Sequence, residues 1–184
     1  YTDIDRFVNK DWAKLLTARN VLSHKSGLPN WATSPSSDAW PSSKIEFKFR
    51  PDSCFGYSGE AYALLQRAVE KIRGKSLEEI AVEEVFVPFK MTNTSYVWKS
   101  GYDAQAAPGY NDKGENRGQG RHPRANSAYT LRTTAADYSK FLTVLAKGTG
   151  LKSKTHKEQL TPAVNAVYNF GKDRPCDKYI FWGL

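Results

Sequence analysis

Between Gly56 and Gly74 the chain carries its strongest periodic signal, and that signal limits what the chain can become. Ala61, Leu64, Leu65, Ala68, Val69 and Ile72 recur three and four positions apart. That spacing lines them along one face of an α-helix. Glu60, Arg67, Glu70, Lys71 and Arg73 fall largely on the other face. Such a helix must lay its stripe against other apolar elements, so the fold needs a packed core built around it. Gly74 breaks the pattern behind. In front stands Phe55-Gly56-Tyr57-Ser58-Gly59-Glu60, which sets a tyrosine at the mouth of the helix. A phenol held there feels the positive end of the helix dipole. That favours phenolate and suits a general base. The ordinary alternative is a core or rim tyrosine that merely begins a helix.

Hydrophobic residues make up 40% of the chain and aromatics 13%, which is the composition of a globular protein. A length of 184 residues suits a single domain, 1–184, with a real core. No apolar run reaches the length of a membrane span, so none is expected. No signal peptide stands in these residues. The chain opens on Tyr1 and stops at Phe181-Trp182-Gly183-Leu184, an apolar run that reads as a strand being entered. Both ends therefore read as cuts inside a longer protein. The net charge is +8. The basic run Arg117-Gly118-Gln119-Gly120-Arg121-His122-Pro123-Arg124 is of a kind that binds phosphate or nucleic acid. No nucleic-acid motif accompanies it, so a solvated loop is the better reading and no nucleic-acid partner is expected. His24, His122 and His156 do not pair at ligand spacing, so neither a metal nor a cofactor is expected. Cys54 and Cys176 stand outside any C-x-x-C pair. Idle thiols are the favoured reading, with a disulfide left open.

Thr17 reads as the N-cap of a short helix that reaches His24, with Gly27 as its stop and Pro29 preventing continuation. Residues 30–43, rich in Ser, Pro and Trp, read as a loop. Ile45-Glu46-Phe47-Lys48-Phe49 alternates and reads as a short strand. Ser76-Leu77-Glu78-Glu79 is a capping box that opens another helix, striped by Leu77, Ile80, Ala81 and Val85 and ended by Pro88. Glu78, Glu79, Glu83 and Glu84 read as its solvated face. A further helix starts at Thr133-Thr134, uses Tyr138, Phe141, Leu142 and Leu145, and closes at Gly148. Residues 154–160 form one more short helix before Pro162. Residues 94–98 and 106–110 read as short extended pieces, and Asn111-Asp112-Lys113-Gly114 as a turn.

Four segments, in order, carry a resemblance. Leu22-Ser23-His24-Lys25-Ser26-Gly27-Leu28-Pro29 is similar to an L-x-H-x-S-G-L-P segment. Residues 51–59, ending Phe55-Gly56-Tyr57-Ser58-Gly59, are similar to P-G-x-x-F-x-Y-S-N. Val85-Phe86-Val87-Pro88-Phe89-Lys90-Met91-Thr92-Asn93-Thr94 is similar to I-F-x-P-L-G-M-x-x-T. Leu131-Arg132-Thr133-Thr134-Ala135-Ala136-Asp137-Tyr138 is similar to L-x-S-T-A-x-D-L. Together they resemble the serine β-lactamase-like family of class C β-lactamases, D,D-peptidases and related esterases.

The resemblance implies a fold and a mechanism. The fold is mainly α with a few short strands (α+β). It is the helical subdomain of the β-lactamase/transpeptidase-like fold, without most of the central antiparallel sheet. The implied chemistry is attack on a carbonyl by the serine of an S-x-x-K motif, with the lysine and the tyrosine of a Y-x-N motif managing the proton. That tyrosine maps to Tyr57, the expected catalytic residue. Ser58, Gly59 and Trp31 are expected at the substrate. No S-x-x-K, K-T-G or H-x-G occurs in the chain, and Gly59 stands where the Y-x-N amide would be. The expected parent is thus a serine hydrolase acting on a peptide, ester or β-lactam carbonyl, with this fragment itself inactive. The competing expectation is a non-catalytic ligand- or peptide-binding protein on the same scaffold. The resemblance further implies a small-molecule or peptide substrate and a periplasmic or otherwise exported bacterial protein. Self-association through the surface left by the missing sheet is the remaining expectation.

Overall fold

The computed structural model describes residues 4–163. The chain divides into two compact units, one with the residues up to Val69 and those from Gly150 on, the other with Glu70–Thr149.

Among the described residues, four α-helices lie in or begin in the first unit. Helix α1 (Lys10–Ala13) is capped by Asn9, whose side chain accepts the Trp12 amide. Helix α2 (Ala18–Leu22) begins at Thr17 in a full capping box with Asn20, as the sequence predicts. Its end is not where the glycine stands. His24 takes the left-handed backbone at φ 53° and turns the chain three residues earlier. Gly27, at φ 77°, serves another need: a Cβ there would lie 2.1 Å from the Phe49 carbonyl oxygen. Helix α3 (Gly59–Arg73) is the periodic segment. Helix α6 (Ser153–Gln159) is the last described helix of this unit; α4 (Leu77–Ala81) and α5 (Ala135–Lys147) lie in the second. The core gathers Phe7, Ala13, Leu16, Val21, Leu28, Ile45, Ala61 and Leu64, with Phe47, Tyr62 and Leu65 packed against it.

Residues 45–49 keep the expected alternation of buried and exposed side chains: Ile45 and Phe49 are buried, Glu46 and Lys48 exposed. They do not form a strand. Only Ile45 is bridged, in parallel, to Phe7. The pleat periodicity was set by the apolar core, but a strand also needs a neighbour along its length, and Lys48 gives its amide to the Gly27 carbonyl instead.

In the second unit Ser76 and Glu79 form the predicted capping box of helix α4 (Leu77–Ala81). It runs into a π-helical turn (Val82–Phe86). Helix α5 (Ala135–Lys147) has Thr134 as N-cap and Gly148, at φ 66°, as its left-handed C-cap. Ala81, Phe86 and Met91 are the buried centre here, with Val85, Tyr96 and Phe141 against them. The sheet is a single antiparallel pair, β1 (Gly109–Tyr110) and β2 (Asn116–Gly118), across the predicted turn. Asn111 builds that turn by accepting the Lys113 and Glu115 amides on its side-chain oxygen. The mainly helical expectation with very little sheet therefore holds.

Glu78 departs from the solvated face assigned to it. Its carboxylate accepts the Ser95 hydroxyl and the Tyr96 amide, each at 2.7 Å. Two of the four sequence segments meet in this unit through Asp137, which is 1% exposed. Its carboxylate accepts the Asn93 amide at 2.7 Å, the Thr94 hydroxyl at 3.1 Å and the Lys140 ammonium at 2.8 Å. The Lys140 hydrogen bond, aided by those from Asn93 and Thr94 and opposed by burial, holds the Asp137 carboxyl below its ordinary value. A carboxyl depressed on folding stabilises the protein above its unfolded pKa, and that contribution is lost as pH falls through the folded value. Asp137→Asn should therefore flatten the fall of stability below about pH 4. Asp137→Ala, which strands a buried amide and hydroxyl, should cost about 1–3 kcal/mol at neutral pH. Urea unfolding at pH 7 and pH 3 checks both, and identical acid slopes in wild type and Asp137→Asn would refute the first.

Candidate active site at the mouth of a helix

The other two sequence segments meet around α3. The first amides of a helix have no partner within it and are satisfied by caps, water or ligands. Here the Gly59 amide donates to the Asn30 side-chain oxygen at 2.9 Å and the Glu60 amide to the Asn30 carbonyl at 2.7 Å. The Ala61 amide donates to Ser58 Oγ at 3.0 Å. With the Ser58 amide, which donates to His24 Nδ1 at 3.2 Å, all four leading donors are thus taken by the protein itself. Ser58 is fully buried, and its hydroxyl also donates to the Pro29 carbonyl at 2.7 Å. Both roles of that hydroxyl are used by backbone, as an N-cap requires.

Tyr57, by contrast, is 43% exposed. Its ring centroid lies 4.6 Å from that of His24. Tyr62, one turn into α3, lies 4.9 Å from the same imidazole. The Tyr62 phenol donates to the Leu22 carbonyl at 3.0 Å. Burial, with a smaller contribution from Tyr57, pushes the Tyr62 phenol above its ordinary value. Tyr62 therefore stays a protonated donor, and the more exposed phenol of the pair is Tyr57.

Gly59 is buried against Trp31. A Cβ at that position would come 2.5 Å from Trp31 Cζ2 and 2.8 Å from Cε2. The indole fills the room where a side chain at 59 would begin. The structure so brings Tyr57, Ser58, Gly59 and Trp31 into one corner of the first unit, with Tyr57 as the group that faces out.

Glu60 was placed on the polar face of α3 by periodicity, and it is fully buried. Its carboxylate receives Arg6 Nη2 at 2.9 Å, the Trp40 indole N–H at 2.9 Å and the Ala32 amide at 3.2 Å. The Arg6 guanidinium also lies over the Trp40 ring, 4.7 Å from its centroid. Ile72, placed on the apolar face, is 81% exposed. Ala61 and Leu64 of the stripe lie in the core as well, so the first turn of α3 buries an ion pair beside its apolar face. Asn30 and Glu60 are the residues that sequence reasoning missed. Asn30 directly follows the Gly-Leu-Pro turn, but nothing in sequence tells which helix it caps. For Glu60 the sequence offered only a contrary signal.

Cys54 is disulfide-bonded, which corrects its reading as an idle thiol. Cys176 lies outside the described residues. A separate cavity of about 390 Å³ in this unit is lined by Arg19, Leu22, Leu151, Thr155, Glu158 and Gln159 among others, and Tyr57 is not in its wall. Among the described residues no cluster of three His, Cys, Asp or Glu side chains is arranged to hold a metal ion. No described helix is long and apolar enough to cross a membrane.

A family model described as Beta-lactamase matches residues 2–175. Among solved structures, the chain is similar to the penicillin binding protein from Bacillus halodurans, with 21% identity and a TM-score of 0.71 over 98% of this chain and 58% of that one. It is similar to the D-amino acid amidase from Ochrobactrum anthropi SV3, with 24% identity and a TM-score of 0.65 over 79% of this chain and 46% of that one. It is also similar to the octameric penicillin-binding protein homologue from Pyrococcus abyssi, with 20% identity and a TM-score of 0.64 over 85% and 41% of the two chains. No curated protein matches it by sequence. The chain thus spans 41–58% of the length of these solved structures, and identities this low speak to the fold alone. The family model reaches across all of the described residues and both of the paired-segment contacts, and the chain belongs to the β-lactamase family.

Proposed function

We propose that this chain is the helical portion of a β-lactamase-type domain in a serine hydrolase that acts by acyl transfer, and that Tyr57 moves the proton in that reaction. One observation carries the reading. At the mouth of α3 the Ser58 side chain is buried and caps the helix, while the Tyr57 side chain beside it is 43% exposed. In this reading Ser58 shapes the helix mouth as its cap. Trp31, seated on Gly59, walls the substrate side. A serine hydroxyl is a weak nucleophile without a positioned base, and the Tyr57 phenol oxygen is the candidate for that role. The substrate class is a peptide, amide, ester or β-lactam carbonyl. The disulfide at Cys54 supports an exported protein, because such bonds persist in oxidising compartments.

These 184 residues hold a candidate base and no S-x-x-K, so the chain by itself should not turn over substrate. A fluorescent penicillin and a serine-directed fluorophosphonate test this on two proteins, the complete gene product and the present chain. Covalent labelling of the complete protein alone is expected. Labelling of the present chain would overturn its proposed inactivity.

The second reading is a ligand- or peptide-binding protein on the same scaffold. Gly59 favours it, because it offers no side-chain amide to hold a substrate carbonyl. Absence of labelling in the complete protein, together with absence of an S-x-x-K upstream, would select it.

A further inference from the structure

His24 occupies a backbone conformation that a non-glycine residue adopts at a cost, and the structure around it explains the use of that cost. At φ 53° it lies in the left-handed region, where histidine is among the enriched residues but still strained relative to the helical one. The turn aims two acceptors of one residue at the same neighbour. Its carbonyl oxygen accepts the Gly56 amide at 2.8 Å. Its Nδ1 accepts the Ser58 amide at 3.2 Å. These are the amides on either side of Tyr57. The imidazole then lies 4.6 Å from the Tyr57 ring, tilted by 32°. Peptide and side chain of Tyr57 are thus both referred to a single residue from another segment. Because Nδ1 accepts an N–H, its lone pair is committed and the ring proton sits on Nε2.

We propose that His24 is a positioning residue for Tyr57: it fixes the backbone of Tyr57 through the two flanking amides and the phenol through ring contact. The proposal rests on the reading of Tyr57 as the proton-transfer group. It assigns His24 no contact with substrate. Its role is to hold the phenol in place, and a displacement of about 1 Å at a reacting group can cost roughly 10²-fold in rate.

Three variants separate the parts of the clamp. In His24→Asn the Oδ1 atom stands where Nδ1 stood, and asparagine tolerates the left-handed backbone. In His24→Phe the ring stays and the acceptor goes. His24→Ala removes both. Amide hydrogen exchange at Ser58 in the present chain should quicken at least about tenfold in the Phe and Ala variants and little in Asn, because only the first two leave that amide without an acceptor. In the complete protein, kcat should fall most in Ala, about 10–10²-fold at nearly constant KM, and less in Phe, which keeps the ring, and in Asn, which keeps the acceptor. A general structural role would instead lower all three alike, in step with thermal stability. The proposal is overturned if Ser58 exchange is the same in all variants, or if Tyr57→Phe lowers kcat while His24→Phe and His24→Ala do not. Unchanged turnover in Tyr57→Phe would overturn the catalytic reading of Tyr57 alone, and the exchange data would still decide whether His24 sets its backbone.

Discussion

Replacing Tyr57 with phenylalanine in the complete protein should lower turnover about 10²–10⁴-fold, the span seen when a positioned acid or base is lost. The substitution is a narrow one here. It removes the phenol oxygen and keeps the ring, so the contact with His24 at 4.6 Å persists. Two hydrogen bonds that hold its backbone, from the amides of Gly56 and Ser58, are not touched by the change. The side chain is 43% exposed, so the melting temperature should move little. KM should change less than kcat if the oxygen acts mainly in the transition state. Tyr62→Phe is the natural control, because its phenol is committed to the Leu22 carbonyl and is harder to ionise. Turnover that survives Tyr57→Phe and fails in Tyr62→Phe would move the chemistry one helical turn along α3.

The largest effect on stability is expected at Glu60. Removing one partner of a buried ion pair leaves the other charge without compensation, and such changes cost about 3–5 kcal/mol. In Glu60→Ala the abandoned partners are the Arg6 guanidinium, the Trp40 indole N–H and the Ala32 amide. For a chain of this size each kcal/mol shifts the midpoint by about 2–4 °C. A fall on the order of 10 °C is therefore expected in thermal unfolding followed by circular dichroism. The double change Arg6→Met with Glu60→Leu should recover much of it, since a buried pair replaced by apolar groups of similar volume is often neutral. A midpoint for Glu60→Ala within about 2 °C of wild type would show that the pair contributes little. The same carboxylate ties down residues 32 and 40 of the loop that carries Asn30 and Trp31. Loss of Glu60 should thus also loosen the cap on α3, visible as faster exchange of the Gly59 amide.

Short-range features were legible in the residues. The capping boxes at Thr17 and Ser76, the glycine that ends α5 and the asparagine turn before β2 all formed where they were expected. Each depends on groups within a few positions of one another, so local chemistry suffices. The alternation at 45–49 predicted which side chains are buried but not the absence of a strand, because hydrogen-bond partners for a strand come from elsewhere in the chain. Glu60 was assigned to the wrong face of α3 for a related reason. Periodicity counts apolar residues, and it has no knowledge of an arginine more than fifty positions away that makes one glutamate worth burying.

The four family segments were readable as words, and the fold and family they implied are found. Their pairing was not readable. Asp137 joins the third segment to the fourth, and His24 and Pro29, with Asn30 just after them, join the first to the second. By itself the sequence determined helices α2 to α6 in outline, the caps at Thr17, Ser76 and Gly148, the family and the candidate tyrosine, since these follow from local pattern and motif. Only the tertiary structure decided which donors at the mouth of α3 are already bonded, that Trp31 fills the space over Gly59, and that one strained histidine holds the amides on both sides of Tyr57. Those facts are distances between segments about thirty positions apart, and such distances are set by how the chain packs its core.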